Sequence, residues 1–123
     1  MKKSIATKWV KALRSGKYKQ GEGLLKNTTK NGKAEYCCLG VLSEVCHIKS
    51  ELEGVELPFD FYPELDLDSE TGTPCDDYGD ISKIEVKDKK GVKRSFYNLS
   101  AANDSGISFK RIATWIEKNF KLL

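Results

Sequence analysis

Two groups of basic and polar residues in this 123-residue sequence carry the side chains needed to hold a phosphorylated ligand. Lysine and arginine neutralise phosphate, aromatic rings stack on a base, and amide side chains hydrogen-bond to the edge of a base. One group follows the predicted first helix, and the other surrounds the start of the predicted last helix, where backbone N–H groups favour an anion. The candidate ligand-binding residues are Arg14, Lys17, Tyr18, Gln20, Asn103, Asp104, Ser108, Arg111 and Trp115.

Each type of side chain in these groups has a distinct expected role. The cations would neutralise phosphates, Tyr18 or Trp115 would stack on a base, and Gln20 or Asn103 would read its edge. An alternative of equal weight is structural, because Asn and Asp commonly shape turns. In that alternative Asn103 and Asp104 form a turn and Tyr18 covers an edge of the core.

The cysteines and the single histidine favour packing over catalysis or metal binding. The four cysteines are Cys37, Cys38, Cys46 and Cys75. They lack the paired C-x2-C spacing of structural zinc sites, and His47 directly follows Cys46, so the two side chains project differently from a helix. Residues 66–70 resemble a calcium loop but lack its glycine and its bidentate glutamate. We therefore expect buried, reduced thiols, no metal, no cofactor and no catalytic residue.

Composition predicts one soluble domain over residues 1–123. Hydrophobic residues make up 39% and charged residues 32%, a globular balance. No apolar run approaches the ~20 residues that cross a bilayer, and no secretion signal is evident, so we expect neither a membrane partner nor export.

Charge is strongly segregated along the chain. The net charge is +3, yet Met1–His47 carries +7, Lys49–Asp80 carries −10 and Ile81–Leu123 carries +6. Either the basic parts bind an anion and the acidic part forms a separate surface, or the acidic part pairs with the basic faces. A duplex-DNA binder is usually more basic, so sequence-specific DNA binding is disfavoured.

Hydrophobic spacing predicts the elements of the first half. An amphipathic helix is expected over Ser4–Ser15, capped by Ser4, anchored in the core by Trp9 and ended by Gly16. The Asn31-Gly32 pair predicts a hairpin between two strands, Gly23–Thr28 and Lys33–Cys38. A buried helix should begin near Cys38, with Gly40 allowing close approach of another element or of a ligand.

The second half is expected to contain a loop, a hairpin and two helices. Lys49–Asp80 holds every proline and predicts a long ordered loop with a short helical turn. A second hairpin is predicted over Ile81–Tyr97. Asn98 should cap a short helix, and Ser108 should cap the last helix. Trp115 falls about a quarter to a third of a turn off the apolar stripe of that helix, which indicates contact with a partner or ligand.

These elements predict a single α+β domain. The two hairpins are expected to form a small antiparallel sheet, with the first and last helices packed on one face. Unpaired edges of such a sheet favour pairing with a second copy, so the sequence predicts a homodimer.

Three sequence blocks resemble a widespread family of small accessory proteins of tailed bacteriophages and prophages. The blocks are the W…LRSGKYKQ segment from Trp9 to Gln20, the YCCLGVL segment at Tyr36–Leu42 and the NDSGISF…IA segment at Asn103–Ala113. The resemblance implies phage origin, a host-cytoplasmic setting and a role outside the virion. Accessory proteins of this kind often counter host immunity by inhibiting a defence protein or by sequestering a nucleotide signal.

Two functions from different classes are therefore expected. The first is non-catalytic sequestration of a nucleotide immune signal, such as a cyclic oligonucleotide or an ADP-ribose derivative. The second is inhibition of a host defence protein, with the acidic Lys49–Asp80 segment mimicking nucleic acid. An enzyme is disfavoured because no pair of acid–base residues stands out.

Overall fold

The computed structural model describes residues 1–48, 67, 71–75 and 82–123. Within these ranges the elements are, in chain order, α1 (Lys3–Arg14), β1 (Lys19–Gln20), β2 (Lys26–Thr28), β3 (Ala34–Tyr36), α2 (Cys38–Val45), β4 (Ile84–Lys87), β5 (Lys93–Phe96), α3 (Leu99–Asp104), α4 (Phe109–Asn119) and a 3₁₀ turn (Phe120–Leu122). The predicted acidic loop with its helical turn and the calcium-like stretch fall mainly outside the described residues.

Helix α1 is amphipathic and packs most extensively against α4. Its buried residues, spaced three and four apart as one helical face requires, are Ala6, Trp9, Val10 and Leu13. Trp9 is fully buried, and its Nε1 donates a hydrogen bond to the Cys38 carbonyl oxygen at 2.8 Å. This confirms Trp9 as a core anchor.

The ends of α1 differ partly from expectation. The helix begins at Lys3 with Lys2 in the N-cap position, and no side chain caps it, so the prediction that Ser4 is the cap was wrong. A first-turn position leaves the Ser4 side chain inside the helix, where it is not placed to accept from the first free N–H groups. The predicted stop is confirmed, because Gly16 follows the helix with φ of 74°.

A three-stranded sheet in the order β1-β3-β2 follows α1. The predicted first hairpin is confirmed, since β2 and β3 pair antiparallel and Gly32 in their turn has a φ of 74°. Strand β1 pairs parallel to β3, which the sequence did not predict. That pairing holds Gln20, the last residue of β1, beside the chain segment that leads into α2.

Helix α2 begins at Cys38, as predicted, and is buried along most of its length. The Cys37 sulfur caps it by accepting a hydrogen bond from the Gly40 N–H at 3.4 Å. A side chain at Gly40 would overlap the Leu25 carbonyl group, so glycine here permits the chain before β2 to approach the helix. The close approach at Gly40 is therefore to another element of the fold.

The second hairpin and the short helix after it are confirmed. Strands β4 and β5 pair antiparallel, with Ile84 opposite Phe96 and Lys87 opposite Lys93. Asp88 closes the turn, because its Oδ1 accepts from the N–H groups of Lys90 and Val92 at 2.8 and 3.0 Å. Helix α3 follows, and the predicted cap is present: Asn98 Oδ1 accepts from the Ala101 N–H at 2.7 Å.

The predicted α+β class is confirmed, with one difference in the sheets. The two hairpins belong to separate sheets, one of three strands and one of two, so they do not join into a single sheet. Helices α1, α2 and α4 and both sheets contribute to one hydrophobic core. No helix among the described residues is long and apolar enough to span a membrane.

Candidate functional site: a basic groove and a polar cluster

A polar cluster built around the buried Asn103 joins the segment after α1 to the segment between α3 and α4. Gln20 Nε2 donates to Asn103 Oδ1 at 3.1 Å, and Asn103 Nδ2 donates to the Gly21 carbonyl oxygen at 2.9 Å. Asp104 belongs to the same cluster, because its Oδ1 accepts from the Gly23 N–H and from Asn103 Nδ2, both at 3.1 Å. The structure thus brings the two predicted groups together through these three residues.

The same cluster occupies the N-terminus of α4. Gln20 Oε1 accepts a hydrogen bond from the Phe109 N–H at 3.0 Å, and Gln20 Nε2 donates to the Ile107 carbonyl oxygen at 2.8 Å. Ser108 holds the predicted N-cap position, but its side chain makes no capping hydrogen bond. Gln20 therefore supplies the cap from a different part of the chain, and the amide groups expected to read a base instead bond to the protein itself.

Arg14 is engaged by α4 rather than by the polar cluster. Its guanidinium forms two hydrogen bonds with the Glu117 carboxylate, at 3.1 and 2.8 Å. This hydrogen bonding lowers the pKa of Glu117 and raises that of Arg14. Both side chains are exposed, so the pair contributes little to stability. The positive charge of Arg14 is therefore already balanced by the Glu117 carboxylate.

Lys17 and Tyr18 lie on the edge of the first sheet. The Tyr18 ring packs edge-on against Tyr36, with centroids 5.3 Å apart and planes at 90°. The Lys17 ammonium lies 5.4 Å from the centre of the Tyr18 ring. Tyr18 is partly buried against the core. Its position matches the structural alternative, in which it covers the core edge.

The last two candidates, Arg111 and Trp115, line a groove between β4 and α4. Its cavity volume is about 560 Å³. We call this the basic groove, after the four cationic side chains that line it: Lys83, Lys87, Arg111 and Lys118. Trp115 is 8% exposed and belongs to the core while it lines the groove. It does not project outward as an isolated partner-facing side chain.

Local sequence explains how the cations reach one groove. In β4, Ile84 and Val86 are buried and the alternating Glu85 and Lys87 are exposed, as a half-buried strand requires. Lys83 lies two residues before Glu85 and is exposed as well, so it extends the same alternating pattern. On α4, Arg111 and Lys118 are seven residues apart, which places them on the same side of a helix after two turns.

Positive charge prevails among the side chains that line the groove. Glu85 is the only carboxylate among its described lining residues, and its Oε2 lies 2.8 Å from Lys93 Nζ. Within the described ranges, Lys87, Arg111 and Lys118 make no side-chain hydrogen bond or ion pair. Lys83 lies 5.7 Å from the centre of the Tyr97 ring. The groove therefore carries excess positive charge that is suited to an anionic ligand.

Sequence reasoning missed Lys83, Lys87 and Lys118 as groove residues. The signal for them was present in the period of two along β4 and the seven-residue spacing on α4. The prediction instead concentrated on helix ends, where polar residues also serve as caps and turns. Three of those residues, Gln20, Asn103 and Asp104, form the polar cluster.

Two of the four cysteines, Cys37 and Cys38, belong to the hydrophobic core, and Cys46 and Cys75 are partly buried. Cys37 and Cys38 are buried, and all four cysteines are free. Burial raises the pKa of Cys37, and it raises that of Cys38 well above its ordinary value. No group of three or more metal-ligating side chains lies within the part of the chain that the structure describes.

The fold and groove together define a small α+β protein with a cationic groove between a strand and a helix. Residues 1–120 match the model of a family described as Domain of unknown function (DUF8296), and the chain belongs to that family. Comparison with curated proteins and with solved structures finds no match.

Proposed function

We propose that this protein binds and sequesters a phosphate-containing nucleotide in the basic groove, without catalysis. The supporting observation is the convergence of Lys83, Lys87, Arg111 and Lys118 on one groove whose single described carboxylate is paired with Lys93. Multiple cations facing one cavity favour a ligand with several negative charges. The resemblance to phage accessory proteins extends the proposal to a nucleotide immune signal, bound in the host cytoplasm.

Trp115 supplies the apolar part of the proposed site. A nucleotide has an apolar base face as well as charged phosphates, and pockets for such ligands combine aromatic surface with a few polar groups. Trp115 lines the groove between positions that carry Arg111 and Lys118. Contact with this side chain would bury part of the ligand while the cations hold its phosphates.

Binding without turnover fits the side chains of the groove. General acid–base chemistry usually needs a histidine or a carboxylate positioned to move a proton. The described lining contains no histidine or cysteine, and its Glu85 carboxylate is held by Lys93. The test is to unfold a ligand complex and recover the ligand. Intact nucleotide supports sequestration, and a cleaved product would contradict it.

A calorimetric titration tests the location of binding. The ligands are cyclic oligonucleotides and ADP-ribose isomers, and the variant is Lys87→Glu/Lys118→Glu. The matched control is Lys30→Glu/Lys33→Glu, which changes net charge equally at exposed positions on the first hairpin. We expect the groove variant to weaken binding by at least about tenfold and the control to retain it, because a cation that touches a phosphate stabilises the complex more than a distant, screened charge does.

Two outcomes would contradict the proposal. One is the absence of any binding tighter than about 100 µM across the panel. The other is an equal loss of affinity in the groove variant and the control, which would indicate a general effect of net charge. Thermal melts of both variants check that each is folded.

The second candidate function is inhibition of a host defence protein by the acidic segment. It is favoured by the net charge of −10 over Lys49–Asp80, which gives nucleic-acid-like charge density. Most of that segment lies outside the described residues. Substituting lysine for several of its acidic residues should abolish inhibition of the defence protein if this candidate is correct, and it should leave nucleotide binding unchanged.

A further inference from the structure

An exposed aromatic ring stands beside the basic groove. Tyr97 is 68% exposed, more than any other large hydrophobic side chain among the described residues. Its ring is next to Lys83, whose ammonium lies 5.7 Å from the ring centre and which also lines the groove. An exposed ring adjoining clustered cations is the arrangement with which proteins hold bases and phosphates together.

The strand pairing fixes the position of Tyr97. Because Ile84 pairs with Phe96, Lys83 and Tyr97 extend β4 and β5 by one residue at the same end of the hairpin. Residues that alternate along a strand share a face, so Lys83, Glu85 and Lys87 lie on one face, and Tyr97 joins it through its position opposite Lys83. Tyr97 thus lies at one end of the row formed by Lys83, Glu85 and Lys87, which line the groove.

The cations are spread along the groove. Four residues of extended chain separate Lys83 from Lys87, or about 13 Å between their Cα atoms. Seven helical residues separate Arg111 from Lys118, or about 10 Å. The two phosphates of an ADP-ribose share one bridging oxygen and present a compact charge. Phosphates separated by a nucleoside match the spread of these cations better.

We infer that Tyr97 is the base-stacking residue of the basic groove and that the ligand is an oligonucleotide of at least two linked nucleotides. This inference rests on the proposed function and narrows its ligand class. One base stacks on Tyr97, Lys83 moves from the ring to a phosphate, and Lys87, Arg111 and Lys118 hold a phosphate further along.

The experiment compares binding of four probes to three variants by calorimetry. The probes are pApA, cyclic di-AMP, ADP-ribose and ribose 5-phosphate, the last of which has no base. The variants are Tyr97→Ala, Tyr97→Phe and Val92→Ala. Val92 is the matched control, because it is a 53% exposed apolar side chain on the same hairpin.

We expect pApA and cyclic di-AMP to bind the unmodified protein at least about tenfold more tightly than ADP-ribose. Tyr97→Ala should weaken both by about tenfold, Tyr97→Phe should keep the affinity within about twofold, and Val92→Ala should change nothing. Weak binding of ribose 5-phosphate should be unaffected by Tyr97→Ala, since that probe has no base to stack.

The outcomes separate this inference from the proposed function. Nucleotide binding that is equal in Tyr97→Ala and Val92→Ala would overturn the stacking role and leave sequestration intact. ADP-ribose binding as tightly as pApA would overturn the oligonucleotide assignment. Absence of binding by every probe would overturn the proposed function, and this inference with it.

Discussion

Asn103 is fully buried, and both its amide oxygen and its amide nitrogen form hydrogen bonds. Its Oδ1 accepts from Gln20 Nε2 and from the Cys38 N–H, and its Nδ2 donates to the Gly21 carbonyl oxygen. A buried polar group left without its partner costs about 1–3 kcal/mol. Asn103 therefore stabilises the folded state more than an exposed asparagine of the same chain.

The residue-scale prediction is that Asn103→Ala lowers the free energy of unfolding by about 3 kcal/mol, because the Cys38 N–H and the Gly21 carbonyl lose their partner. Urea denaturation measures the loss. The control is Asn27→Ala in β2, where the side chain is exposed and the expected change is within about 0.5 kcal/mol. Equal losses in the two variants would contradict a special role for Asn103.

The polar cluster shows how far residue types alone can locate a site. Clustering of polar residues near two helix ends led to the prediction that Gln20 and Asn103 bind a ligand, whereas in the structure their amide groups bond to each other. Their partners could not be predicted, because several are backbone atoms of distant segments, such as the Phe109 N–H, 89 residues from Gln20. Only the folded chain shows which amide groups are already bonded within the protein.

The buried thiols give a pH dependence at the same scale. Burial raises the pKa of Cys37 and Cys38 in the folded protein above the ordinary 9.0 of the unfolded chain. The unfolded state therefore loses thiol protons first. The contribution of these two thiols to the free energy of unfolding is therefore fully present below pH 9.0. It decreases as the pH rises toward the pKa values of the folded state. Urea midpoints measured at increasing pH above 9.0 should therefore fall less steeply for Cys38→Ala than for the unmodified protein.

At the scale of elements, Gly40 sets the distance between α2 and the chain entering β2. Helical glycine usually costs stability relative to alanine, so Gly40→Ala would ordinarily stabilise α2 by about 1 kcal/mol. Overlap with the Leu25 carbonyl reverses that sign, and we expect a loss of about 3 kcal/mol, measured by urea denaturation.

Gly16→Ala is the control for this prediction. Gly16 has a positive φ but no atom near the added Cβ, so the expected loss is only the backbone cost of about 1–2 kcal/mol. A stabilised Gly40→Ala protein would contradict the close approach of the Leu25 backbone.

The elements themselves were largely predictable because most are defined by local signals. Spaced apolar residues marked α1 and α4, Asn31-Gly32 marked the first turn, and Asn98 marked the start of α3. Strand β1 was not predictable, since two residues have no period and its parallel pairing with β3 depends on residues far along the chain. The separation of the two sheets likewise depends on tertiary packing.

At the scale of the whole molecule, the sheet edges bear on the predicted homodimer. The described edge strands are two to four residues long and carry cations, including Lys26 in β2 and Lys93 and Arg94 in β5. Short, lysine-bearing edges disfavour pairing between copies. We expect light scattering to give the mass of one chain, 13.8 kDa. A mass of two chains would support the dimer that the sequence predicts.

The packing of α1 on α4 also constrains when this protein can fold. Arg14 and Glu117 are separated by 103 residues, and Gln20 caps a helix that begins at Phe109. A chain emerging from the ribosome cannot complete these interactions until Phe109 and Glu117 have been translated. Such non-local pairing raises the contact order and slows folding, so the nascent protein must keep its apolar α1 face soluble until synthesis reaches α4.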